Sequence, residues 1–254
     1  MTRPSDPEPY VRSADTLVAS WGAYARGAIG ADVHHLPGVA AAVFPNEPER
    51  GVYNNALLDR YLGGEARAAA IDALEAAYAA AGVARFAVWA HETDLPLRLD
   101  LEARGYTFDS ATRVMITSLD ELEVARPDIP LDPPSWPQYL QAEGLPPTFL
   151  AAADHAEFHA LAARVDGEIV ATALAYDHDT DCGIYNVSTL ERFRRRGFGS
   201  ALTVAQLYDA RDRGRRTASL QASAMAVGVY AAAGFGDLGQ ILEYVPAEPA
   251  VAQR

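Results

Sequence analysis

Cysteine is almost missing from this chain of 254 residues: Cys182 is the only one, which excludes an intrachain disulfide. Basic residues are scarce as well, with 21 Lys and Arg against 34 Asp and Glu and a formal charge of -13. So acidic a chain is poorly suited to nucleic acid and better suited to a cationic small molecule such as an amine, although acidity also serves solubility by itself. No uninterrupted apolar run approaches the roughly 18 residues of a membrane span. The stretch Met1–Val11 is polar, carries Pro4, Pro7 and Pro9, and lacks the apolar region of a secretory signal, so a soluble, cytoplasmic protein is expected. No serine–histidine–aspartate or cysteine–histidine spacing stands out. His155 and His159 lie four apart with Glu157 between them, but the run is not His-Glu-x-x-His, and no metal is expected.

What is there is an ordinary globular mixture, 50% hydrophobic and 22% charged. A helix is expected from Val11 to about Ala28, with Val18, Trp21 and Tyr24 among its larger side chains. Strands are expected at Val33–Leu36, Val39–Phe44 and Val52–Leu58, with Pro45-Asn46-Glu47-Pro48 as a turn. Ile71, Leu74, Tyr78 and Ala81 fall on one face of a helix from about Glu65 to Ala81, closed by Gly82. A strand (Arg85–His91), a short helix (Leu95–Arg104) ending in Gly105-Tyr106, and a strand (Thr112–Leu119) complete the first half. Glu121–Pro134 is acidic, with Pro127, Pro130, Pro133 and Pro134, and reads as a linker. A brief helix (Trp136–Glu143) and an apolar turn (Thr148–Ala153) follow.

The clearest hairpin runs from Phe158 to Val165 and from Ile169 to Tyr176 around Asp166-Gly167. Cys182–Thr189 is a third strand, Gly199 to about Arg213 a helix, Thr217–Ala222 a strand, Met225–Ala233 a short helix closed by Gly234-Phe235, and Ile241–Val245 a last strand before a fraying tail. The two halves share this order of elements, and Arg60-x-x-Gly63 mirrors Arg194-x-x-Gly197. A duplication accounts for this; chance similarity between two α/β stretches is the alternative.

The strand Cys182–Thr189 leads into Arg194-Arg195-Arg196-Gly197-Phe198-Gly199-Ser200. Free amides at a helix start, two glycines and adjacent arginines suit a bound phosphate. A Walker loop would need a lysine that is absent here, and a dinucleotide fingerprint would need glycine or alanine where Leu202 stands. A solvated basic helix start is the plain alternative.

Read as Arg-x-x-Gly-x-Gly after a strand, this stretch resembles the pyrophosphate loop of the GCN5-related N-acetyltransferases (GNAT). Val187 through Gly199 is similar to that family's strand-to-helix segment, with Glu191 where proline is frequent. Ser223-x-x-Ala226-x-x-x-Tyr230-x-x-x-Gly234-Phe235 looks like its second signature, with Ser223 where asparagine is usual. The resemblance covers roughly Trp136 to Val245.

It implies an α/β fold (α+β, mixed sheet) of two tandem GNAT-like domains: a degenerate one at 10–120, a linker at 121–134 and an acetyltransferase domain at 135–250. It implies acetyl-CoA as cosubstrate and direct transfer of the acetyl group to an amine of a small molecule or peptide. Cofactor contacts are then expected from Val187, Ser188, Thr189, Arg194, Arg195, Arg196, Gly197, Phe198, Gly199, Ser200 and Ser223, and Tyr230 is the expected acid for the leaving thiolate.

No base is assigned by the resemblance. Asp177, His178 and Glu191 are polar candidates near strand ends, Tyr185 and Asn186 are candidates to face the acceptor, and Trp136, Tyr139 and Phe149 fall where the family places acceptor-binding helices. No nucleic-acid or membrane partner is expected; a homodimer is an option. A non-catalytic acyl-CoA-binding sensor of the same fold is the alternative, and a scaffold whose loop only binds phosphate is a third reading.

Overall fold

The computed structural model describes residues 8–46, 53–146, 150 and 152–247; Phe149, and Val52 at the start of an expected strand, lie outside the described residues. By its contacts the chain divides into two compact units. One comprises Ala28–Thr112 and the chain from Gly239; the other comprises the first helix, α1 (Pro9–Gly27), and Arg113–Leu238. The halves read from sequence group that helix with the N-terminal residues, whereas its contacts group it with the C-terminal ones.

The unit from Ala28 holds β1 (Asp32–Leu36), β2 (Val39–Val43), β3 (Asn55–Leu58) and β4 (Ala87–His91), ordered β1-β2-β3-β4 and followed by β11 (Gly236–Pro246). Its helices are α2 (Gly64–Ala80) and α3 (Leu95–Ala103). The helical spacing of Ile71, Leu74 and Tyr78 does what it predicts: all three are fully buried, packed with Val39, Ala41, Val88 and Ala90. The Tyr78 hydroxyl donates to the Ala42 carbonyl at 3.0 Å, so its polar end is satisfied inside the core. Gly82, at φ 68°, takes the left-handed turn that closes the helix.

The other unit is built on β5 (Tyr106–Ser118, from Arg113 onward), β6 (Leu131–Asp132), β7 (Phe158–Val165), β8 (Glu168–His178), β9 (Asp181–Thr189) and β10 (Thr217–Ala222), in the order β5-β10-β9-β8-β7-β6. Asp166 (φ 51°) and Gly167 (φ 84°) both adopt positive φ, the type I′ geometry that lets the β7–β8 hairpin keep its twist. Val170 through Tyr176 are all buried, because β8 is covered on both faces. α5 (Phe198–Asp212) covers one face, putting Leu202 among Ala163, Val170, Ala171 and Ala173. On the other face α1 packs on β8 and β9, and α4 (Trp136–Ala142) packs on β8. A last short helix, α6 (Val227–Ala232), rests against α5.

Two expectations change. β5 begins at Tyr106, not Thr112, because Gly105 (φ 86°) ends α3 and turns the chain directly into a strand; Thr107–Ser110 are exposed, so no apolar alternation marks them. The segment read as a linker is tied to its surroundings: Leu131 and Asp132 pair with β7, and the Tyr208 hydroxyl donates to the Val124 carbonyl at 2.7 Å.

Candidate functional site

β9 and β10 start as parallel neighbours and then part. Asp181, Cys182 and Gly183 pair with Thr217, Ala218 and Ser219; beyond Gly183, among the described residues, β9 has no registered partner on that side. A buried carboxylate fixes the closed end: Asp181 accepts from the Thr217 and Ser219 hydroxyls, each at 2.6 Å. Along its other edge β9 remains paired to β8, but the register jumps between Thr172 and Leu174, and Asn186 stands at φ 49°. That bulge re-aims the strand just where its free edge opens. An edge with unpaired N–H and C=O groups is a template for an extended ligand arm to add as one more strand.

The strand runs straight into the Arg194–Ser200 loop. Phe193 donates its N–H to the Leu190 carbonyl (2.8 Å), and the chain then climbs through Arg195 (φ 61°) and Gly197 (φ 85°) into α5. Alternating left-handed residues of this kind turn successive amides toward one concavity. The first α-helical bond of α5 is from the Ala201 N–H to the Gly197 carbonyl, at 2.9 Å. The amides of Phe198, Gly199 and Ser200 therefore have no intrahelical partner, and the first turn carries no acidic side chain.

Gly199, in the first turn of α5, faces the end of β9. A Cβ there would lie 3.8 Å from both Val187 Cγ1 and Thr189 Oγ1. Arg194 Nε donates to the Thr189 carbonyl at 3.3 Å, and Arg192 is committed to Glu168. Arg196 lies over the Phe193 ring, and among the described residues neither Arg195 nor Arg196 has an ion-pair partner. The loop residues and the backbone of Val187–Thr189 are thus brought together.

Tyr230, on α6, packs in the same cluster as Ile184 and Ala222, with Val187 against it. Its ring meets Phe235 edge-on at 5.9 Å, and burial raises its phenol above the ordinary value. Its hydroxyl makes no hydrogen bond among the described residues, which leaves its proton available. Ser223 follows β10, exposed, and its carbonyl accepts from the Ala226 N–H at 2.9 Å.

Other candidates are engaged elsewhere. Arg213 grips Asp177 with two hydrogen bonds, 2.8 and 2.9 Å, and His159 Nε2 lies 3.6 Å from the same carboxylate. Burial alone would raise the Asp177 carboxyl, but these hydrogen bonds overcome it and hold the group well below the usual carboxylate range. A carboxylate so stabilised is a poor base.

The sign gives a stability prediction. The folded pKa is depressed, so the stabilisation is complete above the unfolded value of about 3.9 and is lost as pH falls below it. Between about pH 5 and pH 2, thermal melting of Asp177→Asn is expected to vary less with pH than that of the native protein; parallel melting curves would contradict the linkage.

Cys182 is fully buried beside Arg213, and its thiol is raised by burial. Tyr185 does not face outward: its hydroxyl is buried, and it lies so close over Gly183 that an added Cβ would collide with it. His155 stacks on Trp136 with centroids 4.6 Å apart, so the two histidines serve different ends. Glu191 is exposed in the turn before the loop, and His178 faces Asp179.

One group had no sequence signal. Glu143, at the end of α4, accepts hydrogen bonds from the hydroxyls of Thr172 and of Ser188, the latter at 2.8 Å. Ser188 thus turns its side chain away from Val187 and Thr189, leaving only its backbone on the free edge. Asn186, at the bulge, donates to the Tyr139 hydroxyl at 3.0 Å. No motif marks a glutamate at the end of a seven-residue helix.

The counterpart loop in the other unit is built differently. Tyr61 has φ 62°, matching Arg195, but Gly63 is extended at φ -62°. Asp94, buried, accepts from the Tyr61 N–H at 3.0 Å as well as from the Leu97 N–H. Arg60 is held by the Tyr61 hydroxyl, and Glu65 lies in the first turn of α2. One carboxylate of the chain itself, Asp94, thus takes a loop amide that an anion would need.

Residues 120–235 match the model of the acetyltransferase (GNAT) family. No curated protein matches the chain in sequence. Among solved structures, the chain is similar to a GCN5-related N-acetyltransferase from Kribbella flavida, with 18% identity, 94% of this chain and 97% of that one covered, and a TM-score of 0.71. It is also similar to a GCN5-related N-acetyltransferase from Sphaerobacter thermophilus (18% identity, 96% of each chain, TM-score 0.56). A tandem GNAT protein from the clavulanic acid biosynthesis pathway shows 13% identity over 94% of this chain and 97% of that one, at a TM-score of 0.55. At these identities the structural likeness is one of fold.

Proposed function

Starting from the acetyltransferase match across residues 120–235, we propose that this chain is an N-acetyltransferase that moves the acetyl group of acetyl-CoA directly to an amine of a small molecule or peptide. The observation that carries the reading is the continuity of the free β9 edge with the Arg194–Ser200 loop. The loop amides and Arg195 and Arg196 hold the pyrophosphate. The pantetheine arm pairs along Val187, Ser188 and Thr189, with Ser223 across the opening on the β10 side, and backbone donors there polarise the thioester carbonyl. Tyr230 protonates the departing thiolate. The two halves form a tandem pair in which the first, with Asp94 against its loop amide, holds no cofactor. The protein acts in the cytoplasm, without metal, nucleic acid or membrane.

Free-thiol release from acetyl-CoA with a panel of primary amines tests the reading: an arylalkylamine, an aliphatic diamine, an aminoglycoside and an α-amino tripeptide. The chain contains no lysine, so self-acetylation of lysine contributes nothing to the signal. Tight acetyl-CoA binding with no thiol release from any amine would favour the non-catalytic sensor. Calorimetry supplies a second expected outcome. Acetyl-CoA is expected to bind at least tenfold more tightly than ADP, because only the former carries the arm that pairs with β9. Equal affinities would reduce the loop to a phosphate site.

A further inference from the structure

The carboxylate at the end of α4 sits where an acceptor amine would meet the opened strand. Ser188 and Val187 are adjacent on β9 and point to opposite faces. Val187 packs toward Tyr230 and α5, while Ser188 meets Glu143 on the face covered by α1 and α4. A ligand arm along the free edge is therefore flanked by Tyr230 from one side and by Glu143 from the other. The groups against Glu143 are polar but uncharged: the Tyr24 phenol from α1, the Thr172 hydroxyl from β8 and the Ser188 hydroxyl from β9, with Asn186 beside Tyr24 and bonded to the Tyr139 hydroxyl. Among the described residues no guanidinium pairs with it, in contrast to Asp177.

Aromatic rings extend the same face. Trp136 stacks on Tyr139 at 5.1 Å and on Phe158 at 5.6 Å, and Tyr24 stacks on Phe158 at 5.1 Å. The Trp136 indole N–H is buried with no partner among the described residues. An unpaired carboxylate beside aromatic faces suits a primary ammonium group. Burial, and then the Glu143 charge, raise the Tyr24 phenol, which keeps that hydroxyl a neutral donor beside the carboxylate.

We infer that Glu143 is the catalytic base of the transfer, binding the acceptor as its ammonium ion at the β9 bulge and taking its proton. This rests on the acetyltransferase reading. The ammonium gives one proton to Glu143, and the freed nitrogen lone pair attacks the thioester carbonyl carbon, forming the C–N bond. The intermediate collapses, the C–S bond breaks, and the sulfur takes the Tyr230 proton. Glu143 passes its first proton to solvent and then takes the nitrogen's second surplus proton, which also leaves to solvent, while Tyr230 regains one proton from solvent. The products are the acetamide, free coenzyme A thiol and one net proton.

The test is Glu143→Gln, which keeps the shape and can still accept from Thr172 and Ser188. With whichever panel amine reacts fastest with the native protein, its kcat/KM at pH 7 is expected to fall about 100-fold. Its acetyl-CoA affinity, by calorimetry, is expected to stay native. The deficit is expected to shrink as pH rises toward the amine's pKa, near 10 for a lysine-like amine, because solvent then supplies the neutral nucleophile. A folded Gln variant whose rates stay within threefold of native from pH 7 to about 9.5, or whose deficit is the same at every pH, overturns the assignment.

A second measurement needs no variant. Carbodiimide coupling of the native protein, mapped by peptide mass, is expected to label Glu143 and to be blocked by the trimethylammonium analogue of the reactive amine, which cannot itself couple. Labelling that this analogue leaves unchanged overturns the proposal. Native protein that releases thiol with none of the four amines overturns the transfer reading itself, which separates the two failures.

Discussion

Gly197→Asp is expected to weaken acetyl-CoA binding at least 100-fold, about 2.7 kcal/mol, while leaving the fold intact. Both halves of that expectation come from the geometry. Gly197 stands at φ 85° as the residue before α5, and a Cβ there meets nothing within 4 Å. Aspartate tolerates left-handed φ better than most residues, so the backbone cost is modest. Its carboxylate, however, would enter the concavity of amides that receives the pyrophosphate in the proposed function. There it would both compete for the donors and repel the ligand's charge.

Gly197→Asn has the same shape and no charge, and is expected to stay within about tenfold of native. Calorimetry on the two variants separates charge from backbone strain. Native affinity in a folded Gly197→Asp protein would remove the loop from the cofactor site.

The same substitution in the other half has the opposite expected sign. Gly63 precedes α2 in an extended conformation, φ -62° and ψ 156°, with open space around it. That is the backbone of a helix N-cap, where aspartate is favoured over glycine by a few tenths of a kcal/mol. Gly63→Asp is expected to melt at or slightly above the native temperature and to bind acetyl-CoA normally. Equal loss of affinity in the two folded variants would sink the claim of a single cofactor site.

Tyr230→Phe is expected to lower kcat about 100-fold with acetyl-CoA affinity unchanged. The ring is 8% exposed and packs against Phe235, and phenylalanine keeps that packing. The hydroxyl has no partner among the described residues, so its removal leaves no buried group orphaned and costs little stability. The raised phenol stays protonated at neutral pH, as a donor to the leaving sulfur requires. An unchanged kcat would make Tyr230 a packing residue only. A fall in affinity with kcat preserved would make it a binding residue.

Much of this site could be read along the chain because its parts are local. The Arg194–Ser200 loop needs only a strand, two glycines with one residue between them, arginines and a helix start, all within Cys182 to Arg213. The β7–β8 hairpin needs only Asp166-Gly167 between apolar runs, and α2 needs only the spacing of Ile71, Leu74 and Tyr78. Backbone preference and apolar period act over a few residues, and sequence displays them directly.

Other features depend on residues far apart in the chain and could not be read this way. Glu143 carries no motif; its meaning comes from Ser188 and Thr172, which the packing of α4 on β8 brings to it. Asp177 reads from sequence as a polar candidate near a strand end, and only the fold brings Arg213 to hold it. The retreat of β10 from β9 beyond Gly183, and the bulge at Asn186, follow from pairings among three strands rather than from any one of them. The first half's loop is closed by Asp94, more than thirty residues beyond Arg60 and Tyr61. By itself, then, the sequence determined the loop, the turns and the periodic faces, since these depend on neighbours along the chain. The tertiary structure alone decided which carboxylates are free, which strand edge is open and which loop is filled, since those depend on what distant segments bring to the same place.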